Sequence, residues 1–395
     1  MTRPPASSTP TTPAPAGSVP AGRGAYVLGV DSGGSGLRVA LGRTGLSGPL
    51  PTTPLLTTVC AEPVRTGPGG IDAGHLLAQL LPAARELLER AAASASDDAP
   101  AGEVAAGEVA ALAIGAAGMA TLGERLRAEL PGALADALGV RRLALAADAV
   151  TAYAGAVGQR PGAVVAGGTG MIALGTDLTE WHRADGWGHL LGDSGGGAWI
   201  GRAGLDAAMR AHDGRRGGSP ALLDRLRAVF GPAEALPGLL YPRSDRPAVL
   251  ASFAPEVAAC AGADPVAAGI LRAAAGHIAE AAAAVCPTTG HPTADGTDSE
   301  GSELRAVGEV ALTGGLFRMG EPLIAPLREE LAHLLPGARV TTATGDPLTG
   351  ALRIAHALAA GDLRLPRHPT MLFVPREHET GQRVGTAEQD EPRTG

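Results

Sequence analysis

Residues 29–42 read GVDSGGSGLRVALG. An apolar run ends in Asp31, the small residues Ser32 to Gly36 follow, and a second apolar run leaves the turn. With YVLGVD beginning at Tyr26, the two runs predict short strands joined in a hairpin. No side chain in the turn is larger than serine, so its backbone N–H groups stay open to an approaching anion.

The plan recurs at residues 162–175, GAVVAGGTGMIALG, where two apolar strands again flank a glycine turn. One such turn is explained by an ordinary hairpin. Two in separate halves of the chain, one opening on an acid, point to a nucleoside triphosphate held between two lobes. Asp31 is then expected to act on phosphate through water and Mg²⁺, because a carboxylate and a phosphate repel. Its plain alternative is a turn-forming Asp bonded to its own loop.

Around these turns the chain alternates strand and helix. Leu76, Leu77, Leu80, Ala84, Leu87 and Leu88 recur at helical spacing within residues 71–95, with Pro82 as an expected kink. AALAIGAAG from Ala110 and RRLALAAD from Arg141 read as buried strands, the second ending in Asp148. Asp264-Pro265 and Asp346-Pro347 each place an N-cap before proline at the first helical position, and Gly361 closes the last helix. EVALTG after Gly308 reads as a further strand, preceded by a polar loop over residues 288–305. This alternation predicts α/β layering.

Composition bounds the rest. The chain has 395 residues, 45% of them hydrophobic, enough for two lobes with their own cores. A net charge of -8, with 32 Lys+Arg against 40 Asp+Glu, leaves no overall basic footprint, so nucleic acid is not an expected partner. No uninterrupted apolar span of about 20 residues occurs, so no membrane helix is expected. Residues 1–24, rich in Pro, Thr and Ser, are expected to form a disordered leader and residues 366–395 a flexible tail. Cys60, Cys260 and Cys286 show no metal-ligand spacing and read as reduced thiols of a cytoplasmic protein.

The least ordinary segment is DGWGHLLGDSGGGAWIGRAG, residues 185–204. It sets Trp187 in a glycine-flanked turn, Asp193 before a glycine run, and then enters a helix containing Trp199 and Ile200. An aromatic face and a carboxylate fixed on a tight loop suit a polyhydroxylated ring. A glycine-rich helix-capping loop with a core Trp is the plain alternative, and Asp148 is likewise either an N-cap or a general base at a strand tip.

In this order the hairpin at Asp31, AADAVTA around Asp148, GGTGMIALG, DGWGHLLGDSGGGAWIGR and ALTGGLFR resemble N-acetylglucosamine kinases of the BadF/BcrA-type ATPase group, over about Tyr26 to Leu363. The resemblance implies two ribonuclease-H-like, actin-like ATPase lobes at residues 25–150 and 151–365, with the last helix, about 346–360, returning to the first lobe. It implies ATP and Mg²⁺ in the cleft and an amino sugar as acceptor; a homodimer is compatible with it. It gives Gly33, Gly34 and Ser35 as one phosphate loop, Gly168, Thr169 and Gly170 as the other, and Gly314 and Gly315 as the adenosine-side turn. Asp148 falls at the catalytic base, Asp31 at the metal, and Gly186, Trp187, Gly188 and Asp193 where the sugar is held. Two departures concern the acceptor: Gly69 and Gly70 stand where such kinases carry an Asn, and Ser194 follows Asp193 where an acid is usual. The other reading within the group is an ATPase that activates or regulates without phosphorylating sugar. An electron-transfer activator of that kind needs iron–sulfur ligands, a pattern the scattered cysteines lack.

Overall fold

The computed structural model describes residues 25–33, 36–44, 54–60, 62–67, 70–96, 108–287 and 308–375. The opening hairpin is β1 (Tyr26–Gly33) and β2 (Gly36–Arg43), followed by β3 (Leu56–Cys60). A two-residue ladder, β4 (Thr66–Gly67) with β5 (Gly70–Ile71), leads into α1 (Ala73–Ser96). Then come β6 (Val109–Ala116), α2 (Met119–Leu122), α3 (Glu124–Leu138), β7 (Leu143–Ala147) and α4 (Asp148–Ala156).

The second half opens with β8 (Gly162–Gly167), β9 (Met171–Thr176) and β10 (Trp181–Asp185). A helical insert follows: α5 (Gly197–His212), α6 (Pro220–Phe230), α7 (Leu236–Leu240), α8 (Arg246–Ser252), α9 (Ala254–Cys260) and α10 (Pro265–Val285). The chain ends through β11 (Glu309–Thr313), α11 (Glu321–Leu334), β12 (Arg339–Thr342), α12 (Pro347–Ala360) and β13 (Leu372–Phe373).

The two large sheets share one topology. The first runs β13-β7-β6-β1-β2-β3 and the second β10-β9-β8-β11-β12. In each, three antiparallel strands in sequence order are extended, beside the first of them, by two parallel strands that return through helices. This is the ribonuclease-H-like order built twice, so the α/β two-lobed expectation holds. The parallel strands read as apolar runs because helices cover both faces: LALAA of β7 is buried throughout. Edge strand β3, LTTVC, alternates instead between half-buried and exposed positions.

Each sheet has its own core, one centred on Leu28, Val39, Leu112 and Leu145, the other on Val165, Ile278, Leu271 and Phe253. The lobes meet where α4 and α12 cross. α12 also lies on β1 and β6 of the first sheet, close enough that a Cβ on Gly29 would stand 2.5 Å from the Leu352 nitrogen. The Asp346 carboxylate caps α12 through Thr349 N at 2.9 Å, the Asp264 carboxylate caps α10 through Val266 N at 2.8 Å, and Gly361 ends α12 at φ 74°.

Beyond Pro366 the structure departs from a simple frayed tail. Residues 367–375 continue to β13, which pairs antiparallel with β7 and buries Leu372 fully. The short apolar run Met371–Phe373 covers what would otherwise be an open edge. Residues 376–395, the leader, the polar loop 288–305, Gly34, Ser35 and Gly69 lie outside the described residues. Among the described residues no single helix is long and apolar enough to cross a membrane.

Candidate active site

A cleft of about 490 Å³ opens at the carboxyl ends of the parallel strands β6, β7, β8 and β11. In open α/β sheets this is where ligands bind, because strand ends, loops and helix N-termini converge there. The first lobe contributes Gly118, Ala120 and Thr121 after β6, and Asp148 after β7. The second contributes Gly167, Gly168 and Gly170 between β8 and β9, Gly186, Gly188 and Asp193 after β10, and Thr313 to Gly315 after β11.

Asp148 is the first residue of α4, and Ala147 occupies the capping position. Its Oδ1 accepts from Ala149 N at 2.9 Å. The side chain is exposed and lines the cleft. Desolvation by neighbouring protein raises its pKa, the Asp31 charge raises it further, and Arg183 opposes both. A carboxylate with a raised pKa that lines a cleft is equipped to take a proton there.

Two glycine turns face Asp148. Gly314 has φ 101°, and a Cβ on it would run into the Gly167 carbonyl, so the two turns approach at a distance only glycine permits. A Cβ on Gly168 or Gly315 would meet nothing within 4 Å. Packing does not require glycine at those two positions; its absence of a side chain leaves backbone open to the cleft. The Gly168 and Thr169 carbonyls accept from Gly197 N and Ala198 N at 2.9 and 2.8 Å, which fixes the turn on the start of α5.

Asp193 accepts from Gly188 N at 3.1 Å and stands against Gly170, joining the DGWG turn to the glycine turn of β8 and β9. Desolvation raises its pKa, and the Asp185 charge adds to that. Arg183 is the one cationic residue among those lining the cleft. Its Nε donates to the Asp185 carbonyl at 3.0 Å and its Nη2 to the Gly186 carbonyl at 2.5 Å, while the guanidinium lies 4.1 Å from the Trp187 ring centroid.

The structure thus gathers Asp148, Gly168, Gly170, Gly186, Gly188, Asp193, Gly314 and Gly315 around one cleft. Thr169 and Trp187 do not line it; the indole is 60% exposed and stacked by Arg183. Asp31 and Gly33, toward the end of β1, do not line the cleft, and the Asp31 Oδ2 accepts from Arg38 at 2.6 and 3.0 Å. The smaller β4/β5 turn leans on α2, with Gly70 at φ 89° against the Leu122 carbonyl.

Sequence reasoning missed Arg183, Thr121, Pro347 and Met371, all of which line the cleft. The glycine turn after AALAIGAAG was the available signal for Thr121. Met371 carried none, since only the β13–β7 pairing brings it there.

The site consists of residues adaptable to a nucleotide: open backbone in two turns, carboxylates at strand ends and one cation. No three His, Cys, Asp or Glu side chains converge among the described residues. A divalent ion here would accordingly be carried chiefly by phosphate oxygens and water.

Comparison with known proteins agrees. A 69-residue segment is 41% identical to the N-acetylmuramic acid/N-acetylglucosamine kinase of Clostridium acetobutylicum, and the match spans 17% of this chain and 22% of that relative. The crystal structure of a candidate N-acetylglucosamine kinase from Chromobacterium violaceum superposes with a TM-score of 0.58 at 29% identity, covering 85% of this chain and 99% of that one. A second such structure, from Porphyromonas gingivalis, gives a TM-score of 0.56 at 15% identity over 84% and 98% of the two chains, a likeness of fold. Residues 28–352, which run from β1 into α12 and include every cleft-lining residue but Met371, match the family model; the chain belongs to the BadF/BadG/BcrA/BcrD ATPase family.

Proposed function

We propose that the protein transfers the γ-phosphoryl group of Mg-ATP to a hydroxyl of N-acetylglucosamine or a related amino sugar. The observation that carries this reading is Asp148, exposed to the cleft after β7 with its pKa raised, facing the two glycine turns. The relatives described as N-acetylglucosamine kinases support the choice of acceptor.

In this reading the backbone N–H groups of the β8–β9 turn and of Gly314 and Gly315 orient the nucleotide. Gly186, Gly188 and Asp193 hold the sugar, and Asp148 accepts the proton of its attacking hydroxyl. Mg²⁺, supported by Asp31, would neutralise charge on the phosphates. The charge of Arg183 acts on both Asp148 and Asp193 and helps keep Asp148 available as a base.

The activator reading has less support. Cys60 lies on β3 in the first lobe, whereas Cys260 and Cys286 end α9 and follow α10, and burial pushes all three thiols up rather than toward thiolate. A coupled assay of ADP release with Mg-ATP against N-acetylglucosamine, N-acetylmuramic acid, glucosamine, N-acetylmannosamine and glucose tests the proposal. Sugar-dependent release is expected; slow hydrolysis indifferent to every sugar would overturn it in favour of an ATPase or regulator.

A further inference from the structure

Two residues hold the left-handed backbone that L side chains avoid: Asp185, the last of β10, at φ 61°, and Asp193, in the loop to α5, at φ 55°. Neither is glycine, although glycine stands on many sides of them. Such a conformation persists where surrounding bonds over-determine it.

The bonds are on Asp185. Its Oδ1 accepts from Asp193 N at 2.5 Å and its Oδ2 from Ser194 N at 2.9 Å, so one carboxylate takes two successive backbone donors. Its own carbonyl is held by Arg183 Nε. A Cβ on Gly192 would occupy the place of the Asp185 Oδ1, so the loop is shaped around this carboxylate. Asp193, turned by these bonds, directs its side chain to Gly188 N and against Gly170. Ser194, the position at which an acid was expected, has no carboxylate of its own; Asp185 brings one to its backbone from across the loop.

Resting on the kinase reading above, we propose that Asp185 is a positioning residue: it clamps the Asp193–Ser194 turn so that the Asp193 carboxylate meets the sugar beside the glycine turn. Asp185 does not line the cleft and touches no reacting group. Its effect passes through the Asp193–Ser194 turn.

Two variants separate a clamp from a general structural role. Asp185→Gly removes both accepted bonds while relieving the positive φ, and Asp185→Asn keeps a single acceptor oxygen in a residue that tolerates that backbone. Loss of charge-assisted bonds to backbone N–H predicts about tenfold faster amide exchange, or more, over residues 186–196 of the free Gly variant, with the rest of the chain unchanged. The KM for the sugar should rise by about tenfold, with the KM for ATP within about twofold and the melting midpoint not lowered. Asp185→Asn should fall between the Gly variant and the native chain.

Unchanged exchange across the loop in the Gly variant would overturn the clamp. So would a parallel rise of both KM values with a lowered midpoint. If the native chain phosphorylates no sugar, the kinase reading falls, and the exchange measurement still decides whether Asp185 holds the turn.

Discussion

The guanidinium of Arg38 bonds the carboxylate of Asp346 at 2.6 Å, joining the first hairpin to the cap of α12. The same guanidinium takes Asp31, its direct cross-strand neighbour. One cation therefore ties the residue assigned to the metal to the helix that crosses between the lobes.

Removing that cation should cost stability in a pH-dependent way. Burial alone would raise the Asp346 carboxyl pKa, but bonds from Thr349 and the charge of Arg38 outweigh it and leave it below its ordinary value. A carboxyl more acidic folded than unfolded contributes stability above about pH 4 that is lost as pH falls through the folded value. Arg38→Met should lower stability by about 1–2 kcal/mol at neutral pH, between exposed and buried pairs, and the difference from the native chain should shrink in acid. Chemical denaturation at several pH values reads this directly.

Gly314 and Gly315 should behave differently when each becomes Ala. At Gly314 a Cβ strikes the Gly167 carbonyl, so both turns move and stability falls. At Gly315 it meets no protein atom, and the fold should be unaffected. If that turn receives the nucleotide, Gly315→Ala should raise the KM for ATP about tenfold at an unchanged melting midpoint. Unaltered ATP affinity would remove the turn from the nucleotide site.

Arg183 should set the acid limb of the reaction. The Asp148 pKa is raised by desolvation and by Asp31, and Arg183 counteracts this. Because the base acts deprotonated, activity should fall as pH drops through that raised value. Arg183→Met should move the limb to higher pH, read from kcat/KM against pH; an unmoved limb would place Arg183 outside the electrostatics of Asp148.

His356 on α12 is 6% exposed, its Nε2 has no hydrogen-bond partner among the described residues, and it faces Gly42. Burial lowers its pKa, so the folded state holds it neutral. Its contribution to stability is complete above about pH 6.5 and is lost as pH falls below that, where the unfolded chain takes up the proton. His356→Leu should be neutral or stabilising at about pH 7 and should flatten the decline toward about pH 5. Melting curves at the two pH values decide it.

Local signals made much of the fold legible. Glycine turns between apolar runs marked both hairpins, and the Asp-Pro pairs and Gly361 marked helix ends, because each acts over a few residues. Asp148 and the glycine turns were nameable for the same reason. Pairings distant in sequence were not legible: Met371 reaches the cleft through β13, and Pro347 through the crossing of α12 with α4. Asp31 and Arg38 lie seven residues apart and face each other across the hairpin, an ion pair set by the strand register rather than shown by the sequence alone. The stacking of Trp187 on Arg183 was not legible, because Arg183 lies in β10 and Trp187 in the turn after it, and the sequence does not disclose how that turn folds back on the strand.

The central claim, a sugar kinase whose base is Asp148, is tested most directly by sugar-dependent ADP release from the native chain and from Asp148→Asn, with nucleotide and sugar binding measured alongside. The account predicts turnover in the native chain and a loss of about 10²–10⁴-fold in the variant with both ligands still bound. Equal turnover in the two proteins would contradict it.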